Sequence, residues 1–110
     1  MADPDAIPIA IAGVSHHTAN VASIENFRFS DEPGFLAEAK KSFSAVLLIQ
    51  TCNRVEVIVE GDIGPLREFL SGQGRNGYFV HGGTGALRHL FALASGIDSM
   101  IVGEDQIIGQ

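Results

Sequence analysis

Two short apolar runs joined by a few polar residues stand out in the hydrophobic pattern of the chain. Residues 45–49 are continuously apolar, and residues 55–60 alternate apolar with charged side chains. Such runs on either side of a turn predict a β-hairpin. The turn is Thr51-Cys52-Asn53-Arg54, where Asn53 tolerates the left-handed backbone of a tight turn. The pattern therefore predicts that Cys52 lies at the tip of a hairpin.

The rest of the pattern up to residue 81 predicts two more strands and two helices. Residues 7–14 and 78–81 are strand-like, and the first of these we expect at the centre of a sheet. Ser30 is the expected cap of a helix whose apolar stripe is Phe35, Leu36, Ala39 and Phe43, and a short helix is expected over residues 65–70. The order strand, helix, strand, strand, helix, strand predicts an α+β fold. It is the ferredoxin-like split β-α-β arrangement, with a four-stranded antiparallel sheet and helices on one face.

C-terminal helical segments are predicted after this unit. A helix capped by Thr84 should run to about Ser95 and end at Gly96, with a buried stripe formed by Leu87, Leu90, Phe91 and Ala94. His89 lies roughly 160° from the centre of that stripe at about 100° per residue. It should therefore face solvent or a cleft. Residues 97–110 are apolar with polar residues set into them and carry no capping signal, so we expect the sequence to continue in a longer protein.

Composition and charge narrow the classes of function. The net charge of −6 argues against a sequence-independent phosphate-binding surface, which needs clustered lysine and arginine. Four histidines and one cysteine fit no standard zinc spacing, so no metal is expected. The lone cysteine fits a reducing compartment. The N-terminus does not resemble a signal peptide, and its apolar stretch is too short to span a bilayer. These features predict a soluble cytoplasmic domain with no membrane partner.

The chemistry of Cys52 and of the histidine pair stays open at this level. Arg54, two residues away, would favour the thiolate, which is the nucleophilic form. Equally, Cys52 could be a small buried apolar residue beside a surface arginine. His16 and His17 follow the first strand on an extended loop, where neighbouring side chains point apart and at most one faces a given site.

Three motifs together resemble the glutamyl-tRNA reductases. GVSHHTA at residues 13–19 looks like the N-terminal signature of that family, and TCNRVE at residues 51–56 looks like its nucleophile motif. The block from His89 to Gln110 is similar to the family's longest motif. The motifs occur in the family's order and spacing and span nearly the whole chain.

The resemblance implies a reaction and a set of site residues. Family members reduce glutamyl-tRNA to glutamate-1-semialdehyde with NADPH, in tetrapyrrole (porphyrin and haem) biosynthesis. Cys52 would be the nucleophile that forms a thioester, and His89 the second catalytic residue. The substrate-binding positions implied are Thr51, Asn53, Arg54, Ser99, Glu104, Asp105, Gln106 and Gln110. A bidentate contact from Arg54 would suit the glutamate carboxylate.

The resemblance also implies parts that residues 1–110 do not supply. The family has a nucleotide-binding domain and a helical dimerisation domain, so residues 1–110 should form a single catalytic domain with no NADPH site of its own. The glycine-rich residues 71–77 lack the spacing and flanking elements of a dinucleotide fingerprint. By itself the domain should act only as an esterase. The full-length enzyme should bind the acceptor end of glutamyl-tRNA, form a homodimer and contact glutamate-1-semialdehyde aminomutase.

Three positions differ from the family pattern, and two other functions stay open. Asn20 stands where the family usually has proline, Ile24 where it has arginine, and Asp105 where it often has proline. The alternatives are a non-catalytic ferredoxin-like module that docks a partner, and a cysteine-dependent thioesterase. Thiol reactivity separates the catalytic domain from the module, and selectivity for a glutamyl ester separates it from the thioesterase.

Overall fold

The computed structural model describes the backbone of residues 8–103 and the side chains of residues 8–95. Its strands are β1 (Ile9–Ser15), β2 (Val46–Thr51), β3 (Arg54–Glu60) and β4 (Phe79–Gly82). Its helices are α1 (Val21–Phe27), α2 (Glu32–Ala39), α3 (Ile63–Gly72) and α4 (Gly83–Gly103). Within the described residues, no helix combines the length and the apolar character needed to cross a bilayer.

The four strands form one antiparallel sheet in the order β2-β3-β1-β4. This is the strand order of the ferredoxin-like split β-α-β fold, so the predicted fold class is confirmed, with β1 in the interior of the sheet. The pairing places Ser15 and Thr51 on either side of Arg54, and Gly13 opposite Glu56. The C-terminal ends of β1 and β2, the N-terminal end of β3 and the hairpin turn therefore lie at the same end of the sheet.

Helices α1, α2 and α3 cover one face of the sheet. Alternate side chains of β1 and β3 point to this face, as the two-residue period of a strand requires. They pack with helix and loop residues into the main core: Ala10, Ala12, Val14, Ile24, Phe27, Phe29, Phe35, Ala39, Phe43, Val55, Val57, Val59, Leu66 and Leu70. The stripe predicted for α2 is confirmed at Phe35 and Ala39, with Leu36 only partly buried, whereas Phe43 is buried in the turn after the helix.

Helix α1 was not predicted, because its seven residues make only two turns, too few to show a clear helical period. Asn20 caps it: the side-chain oxygen accepts a hydrogen bond of 2.8 Å from the backbone N–H of Ser23. The departure at Asn20 therefore supplies a helix cap. The predicted cap at Ser30 was wrong by one residue, since Asp31 accepts a hydrogen bond of 3.1 Å from the N–H of Gly34 at the start of α2.

Helix α4 packs on the opposite face of the sheet, so only three of the four helices share a face. Ala86 and Leu90 contact Ile11 and Ile58 in a smaller second cluster. The stripe predicted for α4 was wrong except at Leu90. The residues turned to the sheet are Ala86, His89, Leu90 and Leu93, whereas Phe91 is 67% exposed.

The helix also continues past Gly96 to Gly103, so the predicted end at Gly96 was wrong. Glycine lowers helix propensity by about 1 kcal/mol without forbidding a helix. The misplaced stripe has a separate cause. Leu87, Leu90, Phe91 and Ala94 make the more apolar stripe, but the small Ala86 lets the helix approach the sheet closely.

Candidate active site

Cys52 lies on a two-residue turn that joins β2 to β3. Thr51 and Arg54 are directly paired across the hairpin, so the predicted hairpin is confirmed. The left-handed backbone expected at Asn53 was wrong: among the described residues every positive φ belongs to a glycine. Cys52 is exposed. This excludes the alternative of a buried apolar cysteine.

Hydrogen bonds anchor both carbonyl groups that flank Cys52. The Arg28 guanidinium donates through Nη2 to the Thr51 carbonyl at 2.8 Å. The His16 backbone N–H donates to the Asn53 carbonyl at 2.9 Å. The thiol is therefore carried by a turn whose backbone is held by Arg28, just after α1, and by His16, just after β1.

The histidine pair after β1 lies in a tight turn and not in the extended loop that was predicted. The backbone N–H groups of Thr18 and Ala19 both donate to the Ser15 carbonyl, at 2.9 and 2.8 Å. Because the chain turns here, the rings of His16 and His17 do not point apart, and their centroids are only 3.8 Å from each other. His17 lines the cleft described below.

Glu56 lies at the centre of the site, and its charge is buried. Its side chain is completely inaccessible to solvent, beneath α4. One oxygen, Oε1, is 2.6 Å from Nε2 of His89, and the other, Oε2, accepts a hydrogen bond from Nη1 of Arg54. A buried carboxylate is costly unless it is paired and hydrogen-bonded, and here each oxygen has a cationic or polar partner.

Glu56 was not predicted as a site residue, although the sequence carried a signal. It is a charged residue in a run that becomes the interior strand β3, with Val55 and Val57 on either side. Alternation places it on the same face as Arg54 and Ile58. A glutamate at an interior position of a sheet needs a partner from another element, and only the packing of α4 shows that this partner is His89.

A cleft of about 500 Å³ opens above this carboxylate. Its walls come from β1, the following turn, β3, β4 and α4: Ser15, His17, Thr18, Arg54, Phe79, His81, His89, Ala92 and Leu93. His89 was predicted to face either solvent or a cleft, and it faces the cleft. Its predicted position away from the buried stripe was wrong, because it lies on the stripe that faces the sheet.

His81 on β4 is a further histidine of the cleft, stacked on His89 with ring centroids 4.6 Å apart. The ring of Phe79 lies beside both, with its centroid 5.2 Å from that of His81 and 5.3 Å from that of His89. Partial burial lowers the pKa of His81 below its ordinary value of 6.5, and repulsion from His89 lowers it further, while Glu56 acts in the opposite direction. The neutral form of His81 therefore predominates at pH 7.

The other predicted site residues divide into those whose side chains the structure describes and those whose side chains it does not. Thr51 and Asn53 lie beside Cys52 on the exposed turn, and Arg54 and His89 line the cleft. For Ser99 the structure describes only the backbone, within α4, and Glu104, Asp105, Gln106 and Gln110 lie outside the described residues.

Residues 71–77 do not form a dinucleotide-binding turn. The glycine-rich segment after α3 enters strand β4, so its N–H groups do not open a helix that could receive a pyrophosphate. Within residues 8–95, no three histidine, cysteine, aspartate or glutamate side chains are grouped to hold a metal ion.

The comparisons with known proteins all point to one family. The family described as glutamyl-tRNAGlu reductase, N-terminal domain, matches residues 12–110. The glutamyl-tRNA reductase of Methanoregula boonei is 69% identical over 92% of this chain and 24% of its own length. That of Methanoculleus marisnigri is 58% identical over 94% of this chain and 25% of its own.

A solved structure agrees with these sequence relatives. Glutamyl-tRNA reductase from Methanopyrus kandleri superimposes with a TM-score of 0.74 at 34% identity, covering 94% of this chain and 26% of that one. The chain spans about a quarter of the length of the proteins it matches. By its motifs, its sheet topology and these similarities, the chain belongs to the glutamyl-tRNA reductase family and corresponds to its N-terminal domain.

Proposed function

We propose that this domain performs the acyl-transfer step of a glutamyl-tRNA reductase, with Cys52 as the nucleophile. One observation carries the proposal: the exposed thiol lies on an anchored turn, two residues from Arg54, which lines a cleft together with His89. A nucleophile held on a rigid turn next to a substrate-sized cleft is what covalent catalysis requires.

The step is an exchange of one acyl bond for another. The sulfur of Cys52 attacks the carbonyl carbon of the glutamyl ester, and a carbon–sulfur bond forms. The bond between that carbon and the ribose oxygen of the tRNA breaks. The thiol proton ends on the departing ribose oxygen, and His89 is the group of the cleft suited to carry it. The products are a glutamyl thioester on Cys52 and free tRNA.

Arg54 is the proposed recognition group for the glutamate side chain. The Arg54 side chain is 23% exposed and Nη1 is bonded to Glu56, so the guanidinium is held in one orientation at the cleft wall. Its remaining N–H groups are donors suited to a carboxylate. Thr51 and Asn53 on the turn, and Ser99, Glu104, Asp105, Gln106 and Gln110 further along the chain, are proposed substrate contacts.

The complete reaction would give glutamate-1-semialdehyde for tetrapyrrole synthesis, with NADPH supplying the hydride when bound. We assign NADPH binding, dimerisation and contact with the aminomutase to the remaining length of the longer enzymes, of which this domain spans a quarter. The domain's own part is to form and hold the thioester.

Mass spectrometry of the 110-residue chain mixed with glutamyl-tRNA tests the assignment. We expect a glutamyl adduct on Cys52, slow release of free glutamate, and no semialdehyde at any NADPH concentration. Cys52→Ser should form no adduct, because a hydroxyl is a far weaker acid than a thiol and supplies no anionic nucleophile comparable to the thiolate. The control is Ser42→Ala, which alters an exposed hydroxyl after α2.

The same experiment separates the other functions. Adducts formed equally with other aminoacyl-tRNAs would indicate a general thioesterase. An unreactive Cys52 in a folded domain would indicate a docking module. NADPH-dependent semialdehyde from residues 1–110 would show that the cofactor site had been misplaced.

A further inference from the structure

We propose that Glu56 is a positioning residue that fixes the tautomer of His89 and the orientation of Arg54 at the same time. The carboxylate is fully buried, and its two oxygens are divided between the two partners: Oε1 to His89 and Oε2 to Arg54. The inference rests on the proposed function of this cleft and extends it to a residue beneath the cleft.

The tautomer follows from the chemistry of the two groups. An ionised carboxylate has only acceptors, so the His89 nitrogen 2.6 Å from it must carry the proton. That nitrogen is Nε2. In the neutral ring, Nδ1 then holds the free lone pair and is the nitrogen able to exchange a proton with the thiol and the departing ribose oxygen. Glu56 thereby selects which nitrogen of His89 does the chemistry.

The shared carboxylate also links recognition to proton transfer. A guanidinium has five N–H donors in a fixed plane, so the bond from Nη1 to Glu56 sets the direction of the rest. His89 and Arg54 approach the carboxylate from different elements, α4 and β3. One buried residue therefore fixes, on both elements, the groups proposed to hold the substrate and to move its proton.

Other polar groups around His89 do not replace this function. His81 stacks on its ring from β4 and is predominantly neutral at pH 7, and His17 lies across the cleft. Glu56 is the residue whose carboxylate contacts the His89 ring nitrogen, and it does so from below the cleft, where substrate cannot displace it.

Glu56→Gln tests the proposal with almost no change in shape. Arg54 can only donate, so the amide oxygen should turn to Arg54 and the amide NH₂ to His89. Nε2 of His89 must then accept, and the proton moves to Nδ1. Heteronuclear NMR of the histidine side chains at about pH 8, above the ordinary histidine pKa of about 6.5, distinguishes the two tautomers. We expect Nε2–H in the parent chain and Nδ1–H in the variant.

The second measurement is the rate of adduct formation on Cys52 in a single turnover. We expect a fall on the order of 100-fold in Glu56→Gln, the lower range for loss of general acid–base catalysis. Glu68→Gln is the control, since Glu68 is exposed on α3, across the sheet from the cleft. It should change neither the tautomer nor the rate.

The outcomes distinguish failure of the positioning role from failure of the proposed function. A variant that keeps Nε2–H, or that switches tautomer and reacts at the parental rate, overturns the proposal. If the parent chain forms no adduct, the proposed function fails. A tautomer switch would in that case still establish that Glu56 sets the protonation of His89.

Discussion

Gly13 lies directly opposite Glu56 in the ladder between β1 and β3. A Cβ atom placed on Gly13 would lie 2.3 Å from the Val55 carbonyl oxygen, 2.9 Å from Cα of Glu56 and 3.0 Å from its Cγ. The first two of these atoms belong to the backbone of the neighbouring strand. The absence of a side chain at position 13 is therefore what makes room for the buried carboxylate.

We expect Gly13→Ala to disturb both the fold and the site. The strands cannot keep their spacing with a methyl group at this position, and overpacking of this kind costs about 1–3 kcal/mol in the free energy of unfolding. Because the displaced residue is Glu56, adduct formation on Cys52 should fall as well. Urea denaturation and the single-turnover assay measure the two effects.

Gly64→Ala is the matched control for that substitution. An added Cβ at Gly64, in α3, meets no atom within 4 Å. Alanine is favoured over glycine in helices, so the variant should be as stable as the parent or up to about 1 kcal/mol more stable. Equal stability of Gly13→Ala and the parent would contradict the steric argument.

Arg28→Ala should slow acyl transfer more than it destabilises the fold. The substitution removes the 2.8 Å hydrogen bond to the Thr51 carbonyl, which lies on the exposed turn. Water can replace the lost donor, so we expect a loss of stability of only about 1 kcal/mol. The turn would be less fixed, and misplacement of a reacting group by about 1 Å can cost up to about 100-fold in rate.

The comparison variant for Arg28→Ala is Arg67→Ala, which removes an exposed arginine side chain on α3. Adduct formation on Cys52 and urea midpoints are measured for both variants. A parental rate in Arg28→Ala would mean that the His16 hydrogen bond alone holds the turn.

Arg54→Lys should weaken discrimination between glutamyl-tRNA and glutaminyl-tRNA. An ammonium is a point charge and cannot hold Glu56 while also presenting a planar pair of donors to a second carboxylate. The loss should be about 1–3 kcal/mol, the range for charge-assisted hydrogen bonds. Single-turnover rates with both tRNAs measure it. Unchanged rates and selectivity would show that another residue selects the substrate.

Protonation of His81 should destabilise the fold in mildly acidic solution. The folded-state pKa lies below 6.5, so between the two values the unfolded chain binds more protons than the folded one. The stability that the protein has with His81 neutral is fully present above about pH 6.5, and it is lost as the pH falls from there towards the folded-state pKa.

His81→Gln removes that contribution, because glutamine does not titrate. The variant should lose less stability than the parent between about pH 7.5 and 5.5, a window that spans the ordinary histidine pKa. Urea denaturation at both pH values gives the comparison, and His16→Gln, at an exposed turn position, is the control. Identical losses in the parent and in His81→Gln would contradict the prediction.

Local pattern in the sequence determined the strands, the hairpin and the fold class. The apolar run before Cys52, the alternating run after it and the order of elements are properties of neighbouring residues, and they predict strands and their connection. The motifs around Cys52 and His89 were sufficient to indicate the family. They could not show whether Cys52 was exposed, because exposure depends on how the turn projects from the sheet.

The tertiary structure alone decided the centre of the site. Glu56 and His89 are 33 residues apart, and they meet only because α4 crosses the face of the sheet left open by the other helices. The most apolar stripe of α4 predicted the wrong orientation, since hydrophobicity records how apolar each position is and not how closely a helix can approach. Ala86 allows the close approach, Gly13 leaves the space, and together they bring a buried carboxylate within hydrogen-bonding distance of His89.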